Sequence, residues 1–205
     1  LDPPFKLEEN AQIICSEGST TKLLADLVTH QVDVILSDAP IPPGVKVRAF
    51  NHVLGESGVL IMGSSHLVKS TLSGFPNSLN RQPFLLPARG TLLRRDLEKW
   101  FADFEITPVV VGEFDDSALL KVFGQDGSGF FAVPTVIEEE VCQQYGVVRV
   151  GETNIVERYY AISVNRKVKN PAVEAICHAA RHVFVPKTEP REDIDSCLGL
   201  SFHPG

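Results

Sequence analysis

Hydroxyl and carboxyl side chains recur in this sequence at the points where a helix is predicted to begin. The turns are Gly18-Ser19-Thr20-Thr21, Gly90-Thr91 and Asp115-Asp116-Ser117. A helix N-terminus presents unpaired backbone N–H groups, and in α/β sheets such turns bind anionic or polar ligands at the carboxyl ends of strands. The sequence therefore predicts Ser19, Thr20 and Thr91 as ligand-binding residues. The alternative is that each is an N-cap that serves its own helix.

Charged residues next to these turns extend the candidate site. Arg89 either supplies a positive charge to a ligand or is an exposed side chain with no such role. Two of the three acidic residues Glu113, Asp115 and Asp116 could act together as a carboxylate pair. A solvated first helical turn accounts for them equally well, because negative charge is favourable there.

The motifs of common enzymes are absent from the sequence. The chain contains no G-x-S-x-G turn, no G-x-x-x-x-G-K-[ST] loop, no G-x-G-x-x-G fingerprint and no H-E-x-x-H motif. His178 and His182 share a helix face, but neither has a cysteine or carboxylate partner at zinc-ligand spacing. The cysteines are far apart, without a C-x-x-C pair, and fit thiols in a reducing compartment. We therefore expect no catalytic residue, no cofactor and no structural metal.

The charge and hydropathy of the chain exclude further classes of protein. Its 205 residues include 19 Lys and Arg against 26 Asp and Glu, a formal net charge of −7. Nucleic-acid-binding domains normally carry a basic face, so this chain by itself is not predicted to bind DNA. No apolar run reaches the roughly 18 residues of a membrane span, and the start lacks a signal-peptide pattern. These features predict a cytoplasmic protein without a membrane partner.

Apolar spacing predicts strands that alternate with helices, typical of an α/β fold. The first set is a strand in 11–20, a helix over 21–31 and a strand over 32–38 that is buried on both faces, joined as a right-handed parallel crossover. Later strands are predicted at 106–114 and 129–134. Predicted helices cover 91–104 and 115–127, and a last helix opens at Pro171, followed by a C-terminal tail over 186–205.

The sequence resembles the effector-binding domain of LysR-type transcriptional regulators over residues 5–185. The resemblance rests on the segments EGSTTKLLADLVTHQVDVILSDAP, GEFDDSALLKVFGQDGSGFFAVP and NPAVEAICHAA, in this order and spacing. It implies a periplasmic-binding-protein-like fold of type II, in which each of two lobes is a small sheet flanked by helices. Lobe I would comprise 1–57 and 154–185, and lobe II 58–153. In the family, a winged helix-turn-helix and the first strand of the effector domain come before the segment that matches this sequence, so either that strand precedes Leu1 or lobe I is imperfectly formed.

The resemblance also implies an effector site between the lobes. By matched position, that site would use residues from both lobes, with Ser57 at the crossing between them. Its members would be Ser19, Thr20, Asp38, Ser57, Arg89, Thr91, Leu93, Phe114, Asp115, Asp116 and Ser117.

More narrowly, LLPARGTLLRRDLEKWF and GEFDDSALLKVFG resemble a branch that activates sodium/proton antiporter genes in response to sodium. A sodium ion needs hard oxygen ligands, which Asp38, Asp115 and Asp116 offer. Helix N-termini favour anions instead, so a carboxylate effector and an indirect response to sodium both stay open. DNA binding would require the N-terminal domain. The family implies a homodimer or higher oligomer, for which Leu23, Leu27 and the strand at 11–15 offer a surface, although core packing against the sheet explains the two leucines equally well.

Two other functions fit the same architecture. A solute-binding protein of a transport system shares the two-lobe fold, although the signal-peptide pattern expected of it is missing. An enzyme of the same architecture would lose turnover when a carboxylate such as Asp115 is substituted.

Overall fold

A computed structural model describes residues 12–69, 74–166 and 170–184. The predicted tail over 186–205, with Cys197, lies outside the described residues. Six helices are described: α1 (Thr20–Val28), α2 (Ser65–Lys69), α3 (Leu92–Asp103), α4 (Ser117–Gln125), α5 (Glu138–Tyr145) and α6 (Pro171–Val183). Six strands are described: β1 (Ile35–Ser37), β2 (Phe50–Ser64), β3 (Pro83–Pro87), β4 (Val109–Phe114), β5 (Phe131–Pro134) and β6 (Val147–Ser163). Short 3-10 turns cover Asn77–Leu79 and Thr135–Ile137.

The described chain divides into two compact units. The first unit contains the residues up to Glu56 together with those from Arg158 onward, and the second contains Ser57–Glu157. The long strands β2 and β6 contribute residues to both units. None of the described helices is long and apolar enough to cross a membrane.

In the first unit, β1 pairs with β6 in antiparallel register, with Ile35 opposite Ile162. The helix α1 packs against β1 through Leu24 and Leu27, which form a buried cluster with Ile35 and Ile162. Leu27 is fully buried, so it cannot contribute to the predicted dimer surface. A second cluster joins Val173 and Cys177 of α6 to Leu54 and Ala161.

The predicted opening strand is not found. Residues 12–19 have no regular structure, and Ile14 is 82% exposed. A strand requires a paired neighbour, and in the described sheet β1, the predicted parallel neighbour, is paired with β6 alone, in antiparallel register. Since β1 spans only three residues and leaves Leu36 54% exposed, the prediction of a strand buried on both faces is also wrong.

In the second unit, β3 and β4 form a parallel pair, and a bridge between Phe84 and Phe130 joins β3 to the segment that enters β5. The strand β5 then pairs with β2 in antiparallel register. Phe84 is fully buried, with its ring centroid 5.0 Å from that of Phe101 in an edge-to-face arrangement. This arrangement places the carboxyl ends of β3, β4 and β5 at one edge of the second unit.

Candidate functional site

Seven of the predicted site residues come together at the carboxyl ends of β3 and β4. Pro87 is opposite Phe114 in the parallel register, and the Ala88 N–H donates to the Phe114 carbonyl at 2.8 Å. The turn after β3 therefore lies beside the turn after β4. The residues of these turns and of the helix starts that follow are Arg89, Thr91, Leu93, Phe114, Asp115, Asp116 and Ser117; among them, Leu93 packs against the buried cluster around Leu97, and Phe114 against the one around Leu120.

Thr91 is the N-cap of α3, as predicted. Its Oγ1 accepts from the Arg94 N–H at 3.2 Å and donates to the Ala88 carbonyl at 3.0 Å. The preceding Gly90 has φ +95°, a conformation that favours glycine and turns the chain into the cap. Because the hydroxyl already donates and accepts, the groups of this turn best suited to a ligand are the first-turn amides of Leu92 and Leu93, which an α-helix leaves without an internal partner.

Asp116 is the N-cap of α4. Its Oδ1 accepts from the Ala118 N–H at 2.7 Å and from the Leu119 N–H at 3.4 Å. Asp116 therefore caps its helix, and its negative charge is placed favourably at the helix N-terminus, as the solvated-turn alternative holds. On the same helix, burial lowers the pKa of Lys121, while the nearby Asp116 charge acts in the opposite direction.

The charged group that holds this site together is Arg94, which sequence reasoning did not single out. Its side chain is 6% exposed and donates from Nη1 to the Pro87 carbonyl at 3.0 Å. It also donates from Nη2 to Glu113 at 2.9 Å and from Nε to Glu98 at 2.6 Å. A single guanidinium thus connects the ends of β3 and β4 to α3.

The pKa values of this network follow from its contacts. Burial acts to lower the pKa of Arg94, but hydrogen bonds to Glu98 and Glu113 outweigh it and the pKa is raised. The hydrogen bond from Arg94 lowers the pKa of Glu113 despite partial desolvation, with a further contribution from Arg89. Glu113 is therefore part of a structural ion-pair network.

Arg89 supplies an accessible positive charge beside these turns. Its side chain is 81% exposed, and its Nε lies 3.4 Å from Glu113 Oε1. A pair this exposed contributes little to stability because water and salt screen it. The guanidinium is consequently available to an anionic ligand at low cost.

Ser57 belongs to the second unit and contacts the end of β5. Its Oγ donates to the Gly58 carbonyl at 2.9 Å, lies 3.1 Å from Thr135 Oγ1 and accepts from the Val136 N–H at 3.4 Å. Thr135 was missed by sequence reasoning. The signal for it was a hydroxyl residue directly after a buried strand, at the start of a short 3-10 turn.

The remaining predicted residues belong to the first unit. Ser19 is the N-cap of α1, with its Oγ accepting from the Lys22 N–H at 3.4 Å, and Thr20 is the first residue of that helix. Asp38 is exposed and follows β1 directly. Asp38 and the pair Asp115 and Asp116 thus lie in different units, and in the part of the chain that the structure describes no group of three or more His, Cys, Asp or Glu side chains is arranged around a metal position.

A groove of about 410 Å³ also lies in the first unit, beside α1. Thr20, Leu24 and Val28 line it from the helix, and Pro42 and Val45 from the loop that follows β1. The sequence predicted this Pro-rich segment only as a loop. Because Thr20 lines the groove, this predicted ligand-binding residue of the first unit lies next to a concave apolar surface.

Comparison with known proteins decides the family. Residues 7–185 match the LysR substrate binding domain. The chain belongs to this family. Its members are domains of transcriptional regulators and not enzymes, which agrees with the function class expected from the sequence.

Among its relatives, this LysR-family chain is 33% identical over 171 residues to the transcriptional activator protein NhaR of Escherichia coli, a match that covers 83% of the chain and 56% of NhaR. The chain thus spans about half the length of the curated relatives it matches. NhaR of Shigella flexneri gives the same figures.

Solved LysR regulatory domains share the fold. The regulatory domain of HypT from Salmonella typhimurium matches with a TM-score of 0.59 at 17% identity, over 80% of this chain and 78% of that one. The CcmR regulatory domain from Synechocystis, solved with 2-PG, matches with a TM-score of 0.58 at 12% identity, over 81% of this chain and 80% of that one. The predicted fold class, two α/β lobes of the type II periplasmic-binding-protein-like kind, is thereby confirmed.

Proposed function

We propose that this chain is the effector-sensing part of a LysR-type transcriptional regulator that activates sodium/proton antiporter genes in response to sodium or alkaline stress. The observation that carries the sensing role is the gathering of seven predicted residues at the carboxyl ends of β3 and β4, in a chain of this family. The narrower role is supported by the 33% identity to NhaR. The family match favours a regulator over a solute-binding protein of the same architecture.

In this proposal the effector binds between lobe I, residues 1–57 and 154–185, and lobe II, residues 58–153. Lobe II contributes the Arg89–Thr91 turn and the Phe114–Ser117 turn. Lobe I contributes Ser19, Thr20 and Asp38, and Ser57 stands at the crossing. With Leu93 of lobe II, these are the positions that the resemblance implies.

The charges of the second unit favour a small anion as the direct ligand. Arg89 is exposed, and the free amides at the start of α3 are oriented for an anion by the helix dipole. Glu113 and Asp116 are already engaged, by Arg94 and by the α4 amides, respectively. The CcmR domain, which was solved with 2-PG, is an example of a relative with a small-molecule ligand. Sodium sensing would then act through Asp38, Asp115 and Asp116 or through another component.

Titration calorimetry separates these ligands. Sodium is titrated at constant ionic strength against a potassium control, and small carboxylates are titrated in parallel. Anion binding should weaken at least about tenfold on Arg89→Ala, whereas sodium binding should be lost on Asp115→Asn and not on Arg89→Ala. If no ligand gives a saturable heat or raises the unfolding temperature, direct sensing by this chain is wrong.

The proposal includes a cytoplasmic homodimer or higher oligomer that contacts DNA through an N-terminal domain. An exposed apolar strand supports self-association: β4 pairs with β3 on one side, and Val109, Val110 and Val111 are half exposed. Unprotected strand edges and apolar patches of this kind are typical of association surfaces. Reading the gene upstream of Leu1 tests the DNA-binding part, because a winged helix is expected there.

A further inference from the structure

Two imidazole rings lie side by side on α6, in the first unit. His178 and His182 are both exposed, and their ring centroids are 4.4 Å apart. The two Nε2 atoms are separated by 3.3 Å. Residues four apart on a helix are neighbours on its surface, so the two side chains can reach the same point in space.

This separation matches the distance between two nitrogen ligands of one metal ion. With zinc–nitrogen bonds of 2.0–2.1 Å and a tetrahedral angle, two ligand nitrogens lie about 3.3–3.4 Å apart. The rings therefore need little movement to bind one ion together. Imidazole suits Zn²⁺, Ni²⁺ and Cu²⁺, whereas hard cations such as sodium prefer oxygen ligands.

The positions of the imidazole hydrogens allow His178 and His182 to bind one metal ion together. At present one Nε2–H can donate to the other Nε2, with the donor set by the tautomer. When both rings carry their hydrogen on Nδ1, both Nε2 lone pairs are free for the ion and no proton needs to leave the neutral pair.

The charges of the residues next to His178 and His182 on α6 nearly cancel each other. Glu174 lies one turn before His178 on the same helix face and is exposed, and Arg181 directly precedes His182. Within the described residues no set of three or more ligating side chains is arranged around one metal position. The pair thus offers two protein ligands, and water fills the other positions of the ion.

We propose that His178 and His182 form a two-imidazole site on α6 for a divalent transition metal ion of the zinc, nickel and copper class. The proposal rests on the geometry of the pair and is independent of the effector site. It assigns a ligand to residues that the sequence pattern alone left without a partner.

Calorimetry with NiCl₂ alone, on the full chain after removal of metals, tests the site. One ion per chain should bind in a saturable way, and His178→Ala and His182→Ala should each weaken binding at least about tenfold because a single imidazole cannot chelate. His66→Ala is the matched control, since His66 is an exposed histidine on a different helix, α2, and should leave binding unchanged. The electron paramagnetic resonance spectrum of bound Cu²⁺ should show two imidazole nitrogens in the wild type and one in each single variant.

Circular dichroism establishes that the variants are folded. Absence of saturable Ni²⁺ binding to the wild type would overturn the proposal. Unchanged affinity in the His178→Ala/His182→Ala double variant would overturn it as well, because the ion would then be held elsewhere in the chain.

Discussion

At the scale of single residues, Thr91 and Arg94 show which contacts a sequence pattern can predict and which it cannot. Thr91 could be predicted as a cap from its type and position, and the structure confirms it. Arg94 lies on the same face of α3 as the buried Leu97 and Phe101, a position at which a charge needs hydrogen-bonding partners. One of these partners, Glu98, lies one turn further along the helix, but the other, Glu113, comes from β4, so helix periodicity could not identify it.

The Glu113–Arg94 pair makes the free energy of unfolding depend on pH in the acid range. The hydrogen bond from Arg94 holds the pKa of Glu113 below its ordinary value of 4.5 in the folded state. Its contribution is therefore present above that value and is lost as the pH falls through the folded pKa. We expect Glu113→Gln to lower the free energy of unfolding at pH 7, with a difference from wild type that shrinks below pH 4.5 in urea titrations.

Glu17→Gln is the control for that prediction, because it removes the same charge from an exposed residue outside the helices and strands. It should change the free energy of unfolding little at any pH. A Glu113→Gln difference that stays constant between pH 7 and pH 3 would contradict the assignment of the stabilisation to the charged carboxylate.

The cysteines differ in reactivity for a similarly local reason. Cys177 is 2% exposed, and burial raises the pKa of its thiol, which keeps it protonated and unreactive. Cys15 is exposed. With iodoacetamide at pH 8, we expect Cys177 to be modified at least ~10-fold more slowly than Cys15, as measured by peptide mass spectrometry. The difference should disappear in denaturant, and equal rates in the native protein would show that α6 does not protect the thiol.

At the scale of elements, four of the six described helices could be predicted, whereas α2 and α5 were missed. Caps and apolar spacing located α1, α3, α4 and α6 to within a few residues. The strand β2, by contrast, is continuous over 15 residues, whereas the sequence shows two apolar runs separated by NHVLGES. The polar residues between the two runs do not interrupt the strand, because a strand can have one face buried and the other exposed. Which face is buried depends on the elements that pack against it, and the local sequence does not show this.

Gly124 gives a prediction at this scale that reverses a general rule. Replacing a glycine in a helix interior by alanine normally stabilises by about 1 kcal/mol. In α4, however, a Cβ on Gly124 would overlap the buried ring of Phe131. We expect Gly124→Ala to reduce the free energy of unfolding by about 1–3 kcal/mol, because the ring must leave its packed position. Gln125→Ala, at the exposed neighbouring position, should be nearly neutral in the same denaturation experiment, and a raised melting temperature for Gly124→Ala would refute the packing argument.

At the scale of the whole molecule, the two-lobe α/β class and its family could be predicted, because the order and spacing of several motifs extend over nearly the whole chain. The gathering of the turns after β3 and β4 could also be predicted, since parallel strands end at one edge. Sequence alone could not show that Ser57 is bonded to the turn after β5, because that contact joins residues 78 positions apart.

Self-association is the prediction that belongs to this scale. We expect concentration-dependent dimerisation in sedimentation experiments, weakened at least about tenfold by Val111→Lys, because a charge would then have to be buried at the β4 edge. Val156→Lys is the control, since Val156 is also exposed but lies on β6. A wild-type chain that stays monomeric at micromolar concentration would exclude this dimer surface.

The division of β2 and β6 between the units sets the order in which the chain can fold on the ribosome. All described residues of the second unit lie between Ser57 and Glu157, so this unit is complete once that stretch has emerged. The first unit also needs the end of β6 and α6, so its early residues must wait while about half of the chain is synthesised. Closing so long a loop costs entropy before any contact offsets it. Nascent chains that end before Pro171 should therefore protect the second unit from protease and leave the first unit susceptible.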